Sequence, residues 1–401
     1  MTDPVFGEAT WTPGSPAVRE QWRLDPSVAF LNNGSFGATP RVVLDAVRSI
    51  HAEMEAEPVR FFARELPDRI ALARTAVAGF LGADEPGLAF VPNATTGVNA
   101  VLRSFPWQPG DALLLADQTY NAVKQTALWI SRRYGVDLQW AKLPFPLETP
   151  DQMVAPWLEA ASPRTRLAVV DHVSSPTAMI LPVERILSAL HDQGIPVLVD
   201  GAHAPGLLPL DISALGAEFY VGNLHKWAYA AKGSAILHVC EAWRDRIQPV
   251  CISHGYGQGL RAEFDWTGTA DLSPWLTAPV GLDFWRRLDR TATDGLAASN
   301  HRLVQTGRTL VAKALGTDLP HPDDPALYGP MAAMRWPAPF SGDFRQVFDL
   351  NRRLYDDHRI EVPFTAISAD SPHIWLRISG QAYNRPAEYE RLAEVLKSGW
   401  R

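Results

Sequence analysis

Cysteine is nearly absent from this chain. Two residues, Cys240 and Cys251, occur in 401, which excludes a disulfide framework, and neither has a metal-ligand spacing. No apolar run is long enough to cross a bilayer. The first residues, Met-Thr-Asp-Pro-Val-Phe-Gly-Glu, lack the basic and apolar regions of a signal peptide, so a cytoplasmic location is expected. Basic runs are missing and the net charge is −7, which argues against nucleic acid as a partner. Neither HExxH nor GxSxG occurs and the eleven histidines are scattered, so no metal site and no serine triad is expected. Internal repeats and low-complexity segments are also lacking.

What is present is ordinary for a two-domain globular protein: 46% hydrophobic residues, 20% charged, with 14 Trp and 33 Pro suited to buried aromatic interfaces and stiff loops. After an irregular arm with a short amphipathic piece at 16–24, a short strand at 29–31 runs into Asn32-Asn33-Gly34-Ser35-Phe36-Gly37. Helical spacing covers 41–55 and 66–81. Strands and helices then alternate. Strands are expected at 88–91, 112–116, 138–141, 167–173, 197–200, 219–222 and 234–239, with helices opening at 93 and covering 122–134, 153–160 and 183–193. Continuous apolar strands separated by helices indicate a mostly parallel sheet buried on both faces, with ligands beyond the C-terminal strand ends. From 278 the texture changes. One long helical stretch to 315, interrupted near Asp294-Gly295, precedes strands at 332–336 and 374–378 and helices at 344–357 and 386–397. The expected division is an arm at 1–28 that joins the small domain, a large domain at 29–277 and a small α+β domain at 278–401.

The chemistry-bearing residues fall at strand ends. Val197-Leu198-Val199-Asp200 is a buried-strand pattern ending in a carboxylate, and His203 follows in the same turn. Asp200 alone could equally cap a turn or pair with a protein cation. Lys226 follows a second apolar strand, in Asn223-Leu224-His225-Lys226-Trp227. A lysine to form a Schiff base and an aspartate to keep a pyridine nitrogen protonated are what a pyridoxal phosphate (PLP) enzyme needs. Asn93-Ala94-Thr95-Thr96-Gly97 opens a helix after a strand, where amides and hydroxyls suit a phosphate or simply cap the helix. Asn223 and His225 can add donors to that phosphate. Tyr120, after the strand at 112–116, is the candidate to lie flat on the ring, with a packing role as the alternative. Arg377 sits inside an apolar strand, where a buried charge needs a partner: an amino-acid carboxylate or a protein carboxylate.

Taken in order, these stretches resemble the class V aminotransferase family of fold-type I PLP enzymes, along nearly the whole chain. Asp171-His172-Val173-Ser174-Ser175-Pro176-Thr177, Thr267-Gly268-Thr269 and Leu376-Arg377-Ile378-Ser379 belong to the same set. The Leu-Asn-Asn-Gly-Ser opening, Ser-Ser-Pro-Thr and Ser253-His254-Gly255-Tyr256-Gly257 resemble the isopenicillin N epimerase-like branch. The resemblance implies a seven-stranded, mostly parallel large domain with a smaller α+β domain. It also implies a homodimer in which Thr269 reaches the phosphate of the neighbouring subunit. Lys226 would carry the cofactor and Asp200 pair with the ring nitrogen. His203 would lie near the phenolic oxygen and Ser175 near the ring edge. Thr95, Thr96, Asn223 and His225 would hold phosphate, and Asn33 and Arg377 the substrate.

The expected substrate is an amino acid or a molecule containing one, and the expected reaction begins at Cα. Epimerisation is the first choice, with Tyr120 or His203 as candidate second acids. β-Elimination from a cysteine conjugate or sulfoxide is the alternative, followed by transamination; a non-catalytic PLP-binding protein is the reading from a different class. The stretch 360–368 lacks the nucleophilic cysteine of cysteine desulfurases, so persulfide chemistry of that kind is not expected.

Overall fold

The structure is a computed structural model that describes residues 11–368 and 370–400. Residues 1–10, part of the expected arm, lie outside the described residues.

Among the described residues twelve strands occur in chain order: β1 (Ala29–Phe30), β2 (Leu88–Val91), β3 (Ala112–Ala116), β4 (Asp137–Ala141), β5 (Thr165–Asp171), β6 (Val197–Asp200), β7 (Phe219–Asn223), β8 (Ala235–Val239), β9 (Met331–Pro339), β10 (Ile360–Glu361), β11 (Phe364–Thr365) and β12 (His373–Ser379). Seven form the main sheet, in the order β2-β8-β7-β6-β5-β3-β4. Only β8 runs against the rest, pairing antiparallel with both β2 and β7. Every residue of β2, β3, β6 and β8 is buried, because helices cover both faces. The period of two divides each strand between two cores. Leu113 and Leu115 pack on one side with Val169 and Leu198, while Leu114 joins Val170, Val197 and Val199 on the other. Each such side chain contributes about 1.5–3 kcal/mol by burial. The edge strand β4 is mostly half-buried.

From β3 the chain goes outward to β4 and then returns to the other side of β3 with β5. That reversal opens a crevice at the C-terminal ends of β3 and β5. Register fixes what lines it: Asp171 pairs with Asp200, and Asp200 with Val221.

The expected helical stretch from 278 is two helices, Ala278–Thr291 and Leu296–Leu315, separated where Gly295 adopts φ 84°. A left-handed glycine of this kind turns the chain at no steric cost. The stretch at 153–160 is a 3₁₀ turn, Pro150–Met153, followed by a helix of only Ala155–Ala160. The amphipathic piece near the start shortens to a helix at Pro16–Arg19. A π-turn at Phe61–Glu65 and the short strands β10 and β11 had no signal in the sequence pattern.

β9, β11 and β12 form a second, antiparallel sheet in the order β11-β12-β9. The helices Leu296–Leu315, Arg345–His358 and Pro386–Lys397 bury Val304, Leu350 and Leu392 in its core. Ala29 and Leu31 join this core, and β1 pairs in parallel with β10. No described helix is long and apolar enough to cross a membrane.

Candidate active site

Lys226 is placed by a single helical turn, Leu224–Trp227, directly after β7. Leu224 and Trp227 are buried and anchor the turn from both ends. Its backbone is held from the opposite side. Asn33 Nδ2 donates to Lys226 O at 3.2 Å, and Gly37 packs so closely that a Cβ there would overlap Lys226 O.

The side chain enters a cavity of about 470 Å³ at the sheet crevice, a volume ordinary for a small-molecule site (roughly 300–1,000 Å³). Lys226 Nζ lies 3.2 Å from His203 Nε2, and Trp227 Nε1 donates to His203 Nδ1 at 3.5 Å. With Nδ1 accepting, the neutral ring carries its proton on Nε2 and presents it to an unprotonated amine. The electrostatics agree. Burial, then the charge of Arg377, pushes the Lys226 amine down to about 7, against the opposing pull of Asp200. His203 falls well below its usual range through burial, Lys226 and Arg377.

Asp200 and Asp171 line the buried end of the cavity. Asp200 Oδ1 accepts from Ala202 N at 3.0 Å, and Asp171 Oδ2 accepts from Thr119 Oγ1 at 2.9 Å. Asp200 is raised by burial, with the Ala202 amide and Lys226 opposing. Arg377, on β12, reaches in from the second sheet. It donates to Ser175 O and, at 3.1 Å, to Ser35 Oγ. Among the described residues no carboxylate forms an ion pair with it, and burial pushes it down to about 10.

The phosphate-side candidates divide. Asn93 caps the helix Ala94–Ser104, accepting from Thr96 N at 2.8 Å. Asn223 Oδ1 accepts from Ala94 N at 2.9 Å, which leaves its amide nitrogen for the cavity. Thr95 and His225 line the cavity with it. His225 Nδ1 is bonded to Ser234 O at 2.8 Å, and burial lowers this ring to about 4. A nearby phosphate dianion would favour protonation and make Nε2 a donor. Thr96 is a correction: it does not line this cavity, and its hydroxyl donates to Asn93 Oδ1 at 3.1 Å.

Asn33 is a second correction. It is fully buried and outside the cavity lining. Its Oδ1 accepts from Tyr383 OH at 2.8 Å while its Nδ2 holds Lys226 O, so it positions the lysine and has no free atom for a substrate. Ser35 and Phe36, two and three residues on, line the cavity in its place. Ser175 is half-buried at the cavity wall, and Tyr120 is half-exposed at its open side. Thr269 is exposed and outside this chain's own cavity. Asp171, Ser35 and Phe36 were not singled out from sequence. Asp171 could have been found by aligning the carboxylate ends of neighbouring strands.

These residues fit PLP. A helix N-terminus with Thr95, Asn223 and His225 suits the phosphate, Lys226 the aldehyde, and a buried carboxylate the ring nitrogen. No group of three or more metal-ligating residues occurs among the described residues.

The sequence model of the aminotransferase class-V family matches residues 29–265. Isopenicillin N epimerase of Streptomyces clavuligerus is 34% identical over 94% of this chain and 96% of its own. L-cysteine desulfhydrase of Arabidopsis thaliana is 29% identical over 92% and 87%. A solved structure of C-DES, a lysine-to-alanine mutant with glycine covalently linked to its PLP cofactor, superimposes with a TM-score of 0.75 at 21% identity, covering 94% of this chain and 98% of that one. The chain belongs to the class V aminotransferase family and has the fold-type I α/β architecture. It is an enzyme of that PLP-dependent family.

Proposed function

We propose that this chain breaks the Cα–H bond of an amino acid, or of a substrate that contains one, with epimerisation as the outcome. One observation carries the reading. A single cavity joins an amine held near neutrality, Lys226, to a buried guanidinium, Arg377, that lacks a protein counter-ion among the described residues.

PLP, when bound, supplies an aldehyde for Lys226 to condense with and a ring that accepts the electron pair of a broken Cα bond. The chain's own residues do the rest. Thr95, Asn223, His225 and the helix amides bind the phosphate. Asp200 would supply the anion that keeps a proton on the ring nitrogen, with His203 and Ser175 lining the same cavity. Arg377 takes the substrate carboxylate in a bidentate bond and so decides which Cα bond is aligned for cleavage. Lys226, once free, takes the proton as general base.

Epimerisation requires an acid on the side away from Lys226. His203 stands 3.2 Å from Lys226 Nζ, so we assign the second acid to Tyr120, which also lines the cavity. The crowding of Lys226 and His203 also favours a second reading, β-elimination from a cysteine conjugate or sulfoxide, because elimination needs acid–base groups on one side only. The relatives include both an epimerase and a desulfhydrase. Our reading includes a cytoplasmic homodimer in which Thr269 completes the neighbour's phosphate site. The exposure of Thr269, and of Val250, Ile252 and Tyr256, supports it.

The test is incubation of the PLP-loaded protein with candidate amino acids in deuterated water. Deuterium at Cα with loss of chirality identifies epimerisation. Pyruvate with a released thiol or sulfenate identifies elimination, and a keto acid with the cofactor in its amine form identifies transamination. A protein that stays colourless with PLP, and whose Lys226→Ala variant is indistinguishable from the parent, would be a binding module instead.

A further inference from the structure

Of the two carboxylates that line the cavity, the proposed chemistry uses Asp200 and leaves Asp171 without a task. The two are register partners at the ends of adjacent parallel strands, which lie about 4.8 Å apart. Each is 4% exposed. Two carboxylates so placed in a medium of low dielectric do not both ionise.

The surroundings decide which one holds the proton. The charged and titratable groups facing the pair are Lys226 from the turn after β7, Tyr220 from β7 itself, His203 from the turn after β6, Arg377 from β12, and Lys124 from the helix Asn121–Tyr134. The Ala202 amide, and after it Lys226 when protonated, draws Asp200 toward the anion. Lys124 is the cation nearest in effect to Asp171, but its ammonium is bonded to the carbonyls of Asp117, at 2.6 Å, and Ile367, at 2.9 Å. Thr119 Oγ1 accepts from Ala116 N at 3.2 Å, so its single proton goes to Asp171 Oδ2. The Tyr120 amide is a second donor to Asp171, but the cost of burying the charge, with the repulsion of Asp200, outweighs both donors and the pull of Lys124.

We infer that Asp171 and Asp200 share one negative charge, with Asp171 the protonated member, so that a single charge meets the ring nitrogen of the cofactor. Burial, and after it the charge of Asp200, pushes Asp171 up to about 8, which agrees with the geometry. Asp171 thereby acts as a positioning residue through Asp200. This role rests on the PLP reading, whereas the protonation of Asp171 is a property of the protein alone.

Calorimetry of the cofactor-free protein between about pH 5 and about pH 9 tests the proton. The folded carboxyl keeps a proton that the unfolded chain releases near 3.8. Wild-type stability therefore falls as pH rises from that value to about 8. Asp171→Asn imitates the protonated acid and removes this share of the slope. Its Tm, relative to wild type, is expected to climb with pH up to about 8 and then level off. A variant less stable than wild type, with a deficit that grows as pH rises, would mean an ionised Asp171 and would overturn the inference. Asp200→Asn removes the neighbouring charge and is expected to flatten the same slope, so an unchanged slope would overturn the pairing even if Asp171→Asn failed to fold.

Cofactor titration tests the role. PLP affinity is expected to stay within about threefold in Asp171→Asn and to drop by about tenfold or more in Asp200→Asn. Equal losses would overturn the assigned role. Failure of wild type itself to bind PLP would sink the cofactor reading and leave the calorimetric result standing.

Discussion

Replacing Arg377 with glutamine should leave stability nearly unchanged and strip most of the activity. The guanidinium is 3% exposed, and burial pulls it from its ordinary value down to about 10. That displacement corresponds to roughly 3 kcal/mol of destabilisation of the charged group, present throughout the range below its folded value. The bonds to Ser175 O and Ser35 Oγ return about 1.5 kcal/mol each, because the donor is charged. The two contributions nearly cancel, so the expected shift in Tm is within roughly 1 °C for a chain of this size, read by calorimetry on the cofactor-free protein. Catalysis moves the other way. A charge-assisted bond to the substrate carboxylate is worth about 3 kcal/mol, so kcat/KM should fall roughly a hundredfold. Most of the fall should appear in KM if the bond is equally strong in ground and transition states. A variant that loses several degrees of Tm and keeps its KM would show that Arg377 is a structural cation and would refute the carboxylate-clamp reasoning.

Two further substitutions probe the lysine from outside the cavity. Asn33→Ala removes the bonds to Lys226 O and Tyr383 OH at a fully buried position. It should cost about 2 kcal/mol of stability and weaken PLP binding; unchanged PLP affinity would refute the positioning role. Gly37→Ala drives a Cβ into the backbone carbonyls of Lys226 and His225. The expected result is a folded protein, by circular dichroism, whose visible PLP band is weakened or lost, and a normal band would contradict it.

Much of this architecture was readable because local and tertiary preferences agree. The strands Leu88–Val91, Ala112–Ala116 and Val197–Asp200 and the helices Leu66–Leu81 and Pro386–Lys397 lie where pattern alone placed them. Continuous apolar strands between turns leave little ambiguity when both faces are covered. The site was legible where its residues end such strands, as Asp200 and Asn223 do. It was not legible where function depends on direction. Asn33, Ser35 and Phe36 share one turn, and nothing in their spacing says which of them points at Lys226 O and which into the cavity. Thr95 and Thr96 are neighbours at a helix start, and only the Asn93 cap separates them. Asp171 was missed for another reason: its partner is 29 positions away, and only aligning the two strands as neighbours brings them together.

The opening strap carries a last consequence. Residues 29–37 run between the two sheets: Ala29 pairs with Ile360, Leu31 N donates to Glu361 O, Ser379 N donates to Leu31 O, and Asn33 then grips Lys226 O. The molecule is thus sewn together by its early residues, and the stitches end at the reacting amine. Fragments produced by cutting the gene between the sheets would each expose a raw seam. Complementation by co-expression would have to restore that seam before any activity returned.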